Sequence, residues 1–297
     1  MLYDKTTIAI RERSVLEIAD ISLHVIRDHF RPLLFTFGLL AAPMLAINYL
    51  LIGWMMEPQY GGEMLFRYVW HMILLVAAES QLATVFVTYY LGNALFDQPI
   101  SLRKMSAEIL RVTPRIIWCH GIVRGVIAVW SLYIILDLTC EGLFNGYLEI
   151  LVIPGIVFYS LIVRSVRPFI TELVTLEKNP FSSKDKNVIT LHARSRSLHG
   201  LIASELIGRS MFAGIVGTLL ACALFGGVLA VWDFIARINY QIWVLNALLF
   251  PACLWLSAGV LFVNRFLSYL DIRTRQEGWA VELQLRAEAV KLETHGN

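Results

Sequence analysis

Six stretches of this chain are apolar for about the 20 residues that a helix needs to cross a hydrocarbon core. They run from Leu33 to Met56, Val69 to Leu95, Ile116 to Leu138, Leu148 to at least Val166, Met211 to Val231 and Ile242 to Val263. Each run is continuous and lacks the alternation of a barrel strand, so the pattern predicts helices that satisfy their own backbone groups. Pro32 opens the first, at a position where its missing N–H would have no helical partner anyway. Pro43, Pro154 and Pro251 each interrupt a span, and Ala213, Gly217 and Ala221 give the fifth a small-residue stripe suited to close helix packing.

Outside the spans the period is helical but the composition changes. Between Ser14 and Phe30, residues Val15, Ile18, Ser22, Val25 or Ile26, and Phe30 share one face, predicting an amphipathic helix lying against the membrane. The fourth span is expected to continue through Phe169, Leu173 and Leu176 until Asn179-Pro180 breaks it. A second helix is then expected from Ser182 or Ser183 to Gly200, with Val188, Leu191, Ser195 and Leu198 on one face. Lys184, Lys186, Arg194 and Arg196 crowd the rest of that helix. Two readings of these cations stand together: contact with anionic lipid headgroups, or a topology signal without a ligand. The tail from Ser268 to Ala289 is polar, rich in helix formers, and expected to dock or project as a helix.

The distribution of charge orients the whole. Of the 25 Lys and Arg residues, 22 fall before the first span, after the second, after the fourth or after the sixth. Only Arg67 and Arg237 fall on the other side, and Arg124 lies within a span. By the positive-inside bias, both termini are expected in the cytoplasm, and the chain in the cell's inner (cytoplasmic) membrane. Overall composition agrees: 57 % of the 297 residues are apolar and 16 % charged, and mean hydropathy is +0.64. Soluble domains average about 45–50 % apolar and about 25 % charged. The net charge of +2 gives no reason to expect nucleic acid. The first 31 residues lack the apolar core of a cleavable signal. The expected architecture is therefore all-α: an amphipathic segment 1–31, a six-helix transmembrane domain 32–267 with a cytoplasmic connector 167–210, and a helical tail 268–297.

Candidate chemistry is sparse. Glu79 and Arg124 lie near the middle of the second and third spans, where ionisable groups are costly and point to function by default. Antiparallel packing would offset them by ~9 Å along the axes, within reach of two long side chains. The pair reads either as a polar centre for a substrate, ion or proton, or as a neutralised ion pair that fixes helix register. No H-E-x-x-H, G-x-S-x-G or phosphate-binding glycine loop occurs, and the four cysteines are scattered singly. Neither catalysis, nor a cofactor, nor a metal site is expected.

The tail from Tyr269 to Trp279, with Asp271, Arg273, Arg275, Glu277, Gly278 and Trp279 at matching positions, resembles the end signature of one bacterial family. This is the membrane-domain group of glycerophosphoryl diester phosphodiesterases. Leu191 to Gly200 and Val25 to Leu34 are similar to that group's basic loop and amphipathic lead-in. The resemblance implies a six-helix membrane domain and no catalysis, since the phosphodiesterase itself is a separate soluble barrel. From the long cytoplasmic connections and the missing catalytic motifs, the expected function is a non-enzymatic component. It would scaffold a membrane complex, in contact with the lipid bilayer and another membrane or cytoplasmic protein, or with its own copies as a homo-oligomer. The alternative is a small transporter or lipid-handling protein centred on Glu79 and Arg124.

Overall fold

The structure is a computed structural model that describes residues 13–57, 59, 61–94, 102–139, 146–185, 188–200, 202–236 and 242–277. Among these the elements are helices, in the order α1 (Val15–Asp28), α2 (Phe30–Ile52), α3 (Gly61–Ala94), α4 (Leu102–Ile117), α5 (Val126–Thr139), α6 (Gly146–Val166), α7 (Ile170–Glu172), α8 (Leu191–Gly200), α9 (Ala203–Ala236) and α10 (Ile242–Glu277). Two π-helical turns, Trp118–Val123 and Leu173–Glu177, extend α4 and α7. Four helices are long and apolar enough to cross a membrane, and six spans result if each of two bent helix pairs counts as one.

α3 is the hub, because both of its faces are buried. Met72, Val76, Ala83, Val87 and Leu91 pack with Leu33, Phe37 and Ala41 of α2 and with Trp255, Phe262 and Phe266 of α10. Val85 and Phe86 turn toward a second cluster with Met105, Ile109, Val112 and Ile116 of α4 and with Phe169, Leu173 and Tyr269. Leu74 joins Tyr133 of α5 and Ile153, Ile156 and Val157 of α6 in a third. Burying an apolar side chain is worth ~1.5–3 kcal/mol relative to water. In a bilayer that driving force fades between helices, and shape complementarity takes over. Such fitting is visible at Gly217, where a Cβ would stand 2.6 Å from Leu261 Cδ1: the small-residue stripe of α9 seats it against α10.

α1 forms as expected and is fixed at its start by a capping box. Ser14 Oγ accepts from Glu17 N at 3.3 Å, and Glu17 Oε2 accepts from Ser14 N at 2.8 Å. Ile18, Ser22 and Val25 are buried against the bundle, whereas Phe30 starts α2 and is exposed.

Three expected elements are corrected. The third apolar run, Ile116 to Leu138, is not one continuous helix: it starts within an amphipathic α4 that begins at Leu102 and bends by 59° into α5. The fourth does not continue unbroken to Asn179, because α6 stops at Val166 and the chain turns by 58° before α7. Pro168 accounts for this: a proline disfavours helical backbone at the preceding residue and has no N–H to give. The basic helix starts only at Leu191, so Lys184 lies outside it. Local bonds compete successfully with the helix there: Ser183 Oγ accepts from Asp185 N at 3.1 Å, and Leu191 N donates to Pro180 O at 2.8 Å. The prolines singled out in the spans, Pro43, Pro154 and Pro251, all lie inside unbroken helices.

Candidate functional site

The two bends meet. Gly125, at φ +68°, ends the first π-helical turn and lets the chain re-enter a helix in a new direction. Each bend frees a carbonyl, and the opposite segment satisfies it. Tyr159 of α6 donates its hydroxyl to Arg124 O at 3.0 Å, and Arg124 Nη2 donates to Arg167 O. A Cβ at Gly125 would lie 3.2 Å from the Tyr159 hydroxyl. Gly125→Ala is therefore expected to cost about 1–2 kcal/mol for the left-handed backbone alone. Thermal unfolding of the detergent-solubilised protein measures it, and an unchanged midpoint would refute the strain.

Around this crossing three arginines converge from three parts of the chain. Arg124 is buried, with Nη1 3.4 Å from His120 Nδ1. Arg164, near the end of α6, donates to Ala77 O on α3. Arg265 of α10 donates from Nε to Glu172 Oε1 at 2.8 Å and from Nη1 to Gln81 Oε1 at 3.2 Å. Ala77 and Gln81 are one turn apart on the same face of α3. The three guanidiniums lie within electrostatic reach of one another, with His120 in the field of all three. His120 Nε2 is 3.2 Å from Thr171 Oγ1, so both ring nitrogens are engaged. Glu172 is fully buried, and its Oε2 has no hydrogen-bond partner; neither has Arg265 Nη2.

The expected Glu79–Arg124 ion pair is not formed. Glu79 Oε2 accepts from Asn48 Nδ2 of α2 at 2.9 Å, while Arg124 serves His120 and Arg167. The reason is angular. At about 100° per residue, Glu79 points roughly 200° away from the Ala77–Gln81 face that meets the arginines. Similar depth put the two residues together on paper; opposite faces of α3 keep them apart.

The residues of the basic helix and the tail have other employment. Arg194 grips Glu177 with Nε at 2.6 Å and Nη2 at 2.9 Å, a two-point pair that neutralises it. Tyr269 donates to the same carboxylate at 2.8 Å, and Arg273 lies 3.6 Å from it. Asp271 accepts from Arg13 N at 2.9 Å, Arg209 Nη2 at 2.9 Å and Arg275 Nη2 at 3.2 Å, tying the start of α1 to α9 and α10. Arg275 also reaches Glu205 at 2.6 Å. Lys184 and Arg196 are exposed. Lys186, Gly278 and Trp279 lie outside the described residues, as does the side chain of Glu277.

His199 closes the second bend. Phe169 N, the first backbone donor after Pro168, donates to His199 Nε2 at 3.3 Å, so Nδ1 carries the proton and donates to Ser195 O at 2.7 Å. The ring stacks on Phe169 at 5.5 Å between centroids. Burial, aided by the field of Arg124 and Arg167, pushes its pKa down to about 4, against the opposing bond to Ser195. A base with a depressed folded-state pKa stabilises above its unfolded value and loses that contribution as pH falls. Acid destabilisation is therefore expected between about pH 6.5 and about pH 4. Unfolding midpoints across this range, compared with those of His199→Gln, check it; equal slopes would refute it.

Glu172, Arg164 and Arg265 escaped notice in the sequence because they stand at or beyond the ends of the apolar runs. One signal was available: Glu172 is a lone carboxylate between Phe169-Ile170 and Leu173-Val174, an apolar setting that demands a cationic partner. No family model, curated protein or solved structure matches the chain.

Proposed function

We propose that the protein is a six-span component of the cytoplasmic membrane, with both termini inside, that transports or handles an anionic molecule at the arginine centre. The observation that carries this reading is the convergence of Arg124, Arg164 and Arg265 where two bent helices cross. Irregular backbone at membrane depth is tolerated where it is buried in protein or lines a path, and transporters place their binding sites at such breaks. The 22 cations on one side support the orientation. The likeness of the tail to the glycerophosphoryl diester phosphodiesterase membrane-domain group accords with a membrane role without catalysis.

The functional centre thereby moves from Glu79 and Arg124 to Arg124 and its two partners. Reconstitution tests it. Vesicles carrying the protein, a fluorescent phosphatidylglycerol in one leaflet and radiolabelled inorganic phosphate inside should move one of the two faster than protein-free vesicles. Movement of neither overturns the proposal.

One feature favours the scaffold reading. α9 carries Met211, Ile215, Leu219 and Ile235 outward, an apolar surface that lipid or a partner's helix would meet. A protein co-purifying in equal amount in several mild detergents would support that role.

A further inference from the structure

We infer that Arg124, Arg164 and Arg265 form a binding site for a phosphate-bearing anion, either free or as the headgroup of an anionic lipid. This inference rests on the substrate-handling reading and names the chemistry of its ligand. The first argument is charge. Three guanidiniums lie within one another's fields, Arg167 adds a fourth to that of Arg124, and among the described residues one carboxylate, Glu172, opposes them. It bonds Arg265 alone. Arg124 and Arg164 each give one donor to a backbone carbonyl, that of Arg167 and that of Ala77, and Arg124 gives another to His120, bonds that hold the side chains without cancelling their charge. Arg124 is buried and Arg164 and Arg265 are partly buried, a setting in which charge without a counterion is costly and an anion relieves it.

The second argument is geometry. Each guanidinium offers five N–H donors in a planar fork that matches phosphate oxygens, and the bonds present use only part of that capacity. Arg265 Nη2 is buried with its donors unused, and Glu172 Oε2 is a buried acceptor without a donor. A ligand that both accepts and donates satisfies the two at once: the P–O and P–OH of hydrogenphosphate, or the phosphate and glycerol hydroxyls of phosphatidylglycerol.

The third argument is depth. Counted from the expected outer ends of their spans at Val69 and Ile242, Ala77 lies ~12 Å deep and Arg265 ~35 Å deep, so the arginine contacts extend from the middle of the membrane toward its inner face. A hydrocarbon core is ~30 Å thick, so the cluster reaches from near the middle of the core to the level of the inner headgroups. His120 and Thr171 act as positioning residues that hold Arg124 toward α7.

The test is binding, measured separately from transport on the full chain. Thermal unfolding in detergent would be followed with sodium phosphate or with sodium chloride at equal ionic strength. A parallel series would use nanodiscs of phosphatidylcholine with or without phosphatidylglycerol. Stabilisation by phosphate identifies a free anion and stabilisation by phosphatidylglycerol alone a lipid headgroup; both support the site. Arg265→Gln and Arg164→Gln are each expected to weaken the response about tenfold or more, while Arg111→Gln, on an exposed side chain, leaves it unchanged. Should the glutamine variants fail to fold, Arg265→Lys keeps the charge without the fork and is expected to lose several-fold. Equal response to chloride and phosphate, no response to either phosphate source, or undiminished binding by folded Arg265 variants would overturn the site. Arginine-dependent binding without movement across vesicles retains the site and removes the transport reading. Movement with no such binding does the reverse.

Discussion

Asp271→Ala is expected to destabilise the protein by about 3–5 kcal/mol, the range for removing one partner of a buried ion pair. Asp271 is 3 % exposed and Arg209 8 %, so water cannot replace what is lost. The substitution strands the Arg13 backbone N–H as well as the guanidinium of Arg209. Glu205 still holds Arg209 at 2.7 Å but is partly exposed and shared with Arg275, so it compensates only in part. The penalty is therefore mostly that of an orphaned charge, which makes a second outcome predictable. Adding Arg209→Met should recover part of the loss, because an apolar side chain of similar length removes the stranded charge. Unfolding of both single variants and the double variant measures the coupling, and strict additivity would show that the two residues act independently.

Glu172→Gln is expected to show the second large effect, with a size that depends on the buffer. In chloride, loss of the carboxylate beside Arg265 should cost about 3–5 kcal/mol, since Glu172 is fully buried and nearly isosteric glutamine keeps the packing while removing the charge. In phosphate, the variant should regain more stability than the wild type does, because the cluster it leaves is more positive. A variant equally unstable in both buffers would mean that Glu172 serves Arg265 alone and that no anion enters.

Much of the architecture was legible because it follows from periodicity. A run of apolar residues at helical length reads the same in sequence and structure, and α2, α3 and α10 begin or end within about a turn of expectation on at least one side, while α9 outruns its apolar run at both ends. The Ser14–Glu17 capping box and the Ile18–Ser22–Val25 face were equally readable, being interactions within one turn or one helix. The bends were not. Hydropathy does not reveal a change of backbone direction, which is what Gly125 and Pro168 bring about; prolines that looked more conspicuous, such as Pro154, are absorbed inside continuous helices. The make-up of the site is hidden from the sequence for a related reason. Depth along a span can be counted from sequence, but which side of α3 faces which neighbour depends on the packing of all the others. Glu79 went to Asn48, and Arg124 found companions in Arg164 and Arg265, residues that by position alone belong to the positive-inside signal.

The continuity of α10 has a mechanical consequence. A single 36-residue rod bears Arg265 and, within two turns, Tyr269 and Asp271, whose clamps reach the second π-helical turn, α9 and the start of α1. A helix transmits rotation and axial displacement along its length with little loss. A displacement of α10 that reseats Arg265 therefore also shifts Tyr269 against Glu177 and Asp271 against the Arg13 backbone, so that the interior of the bundle and its polar end share one lever arm.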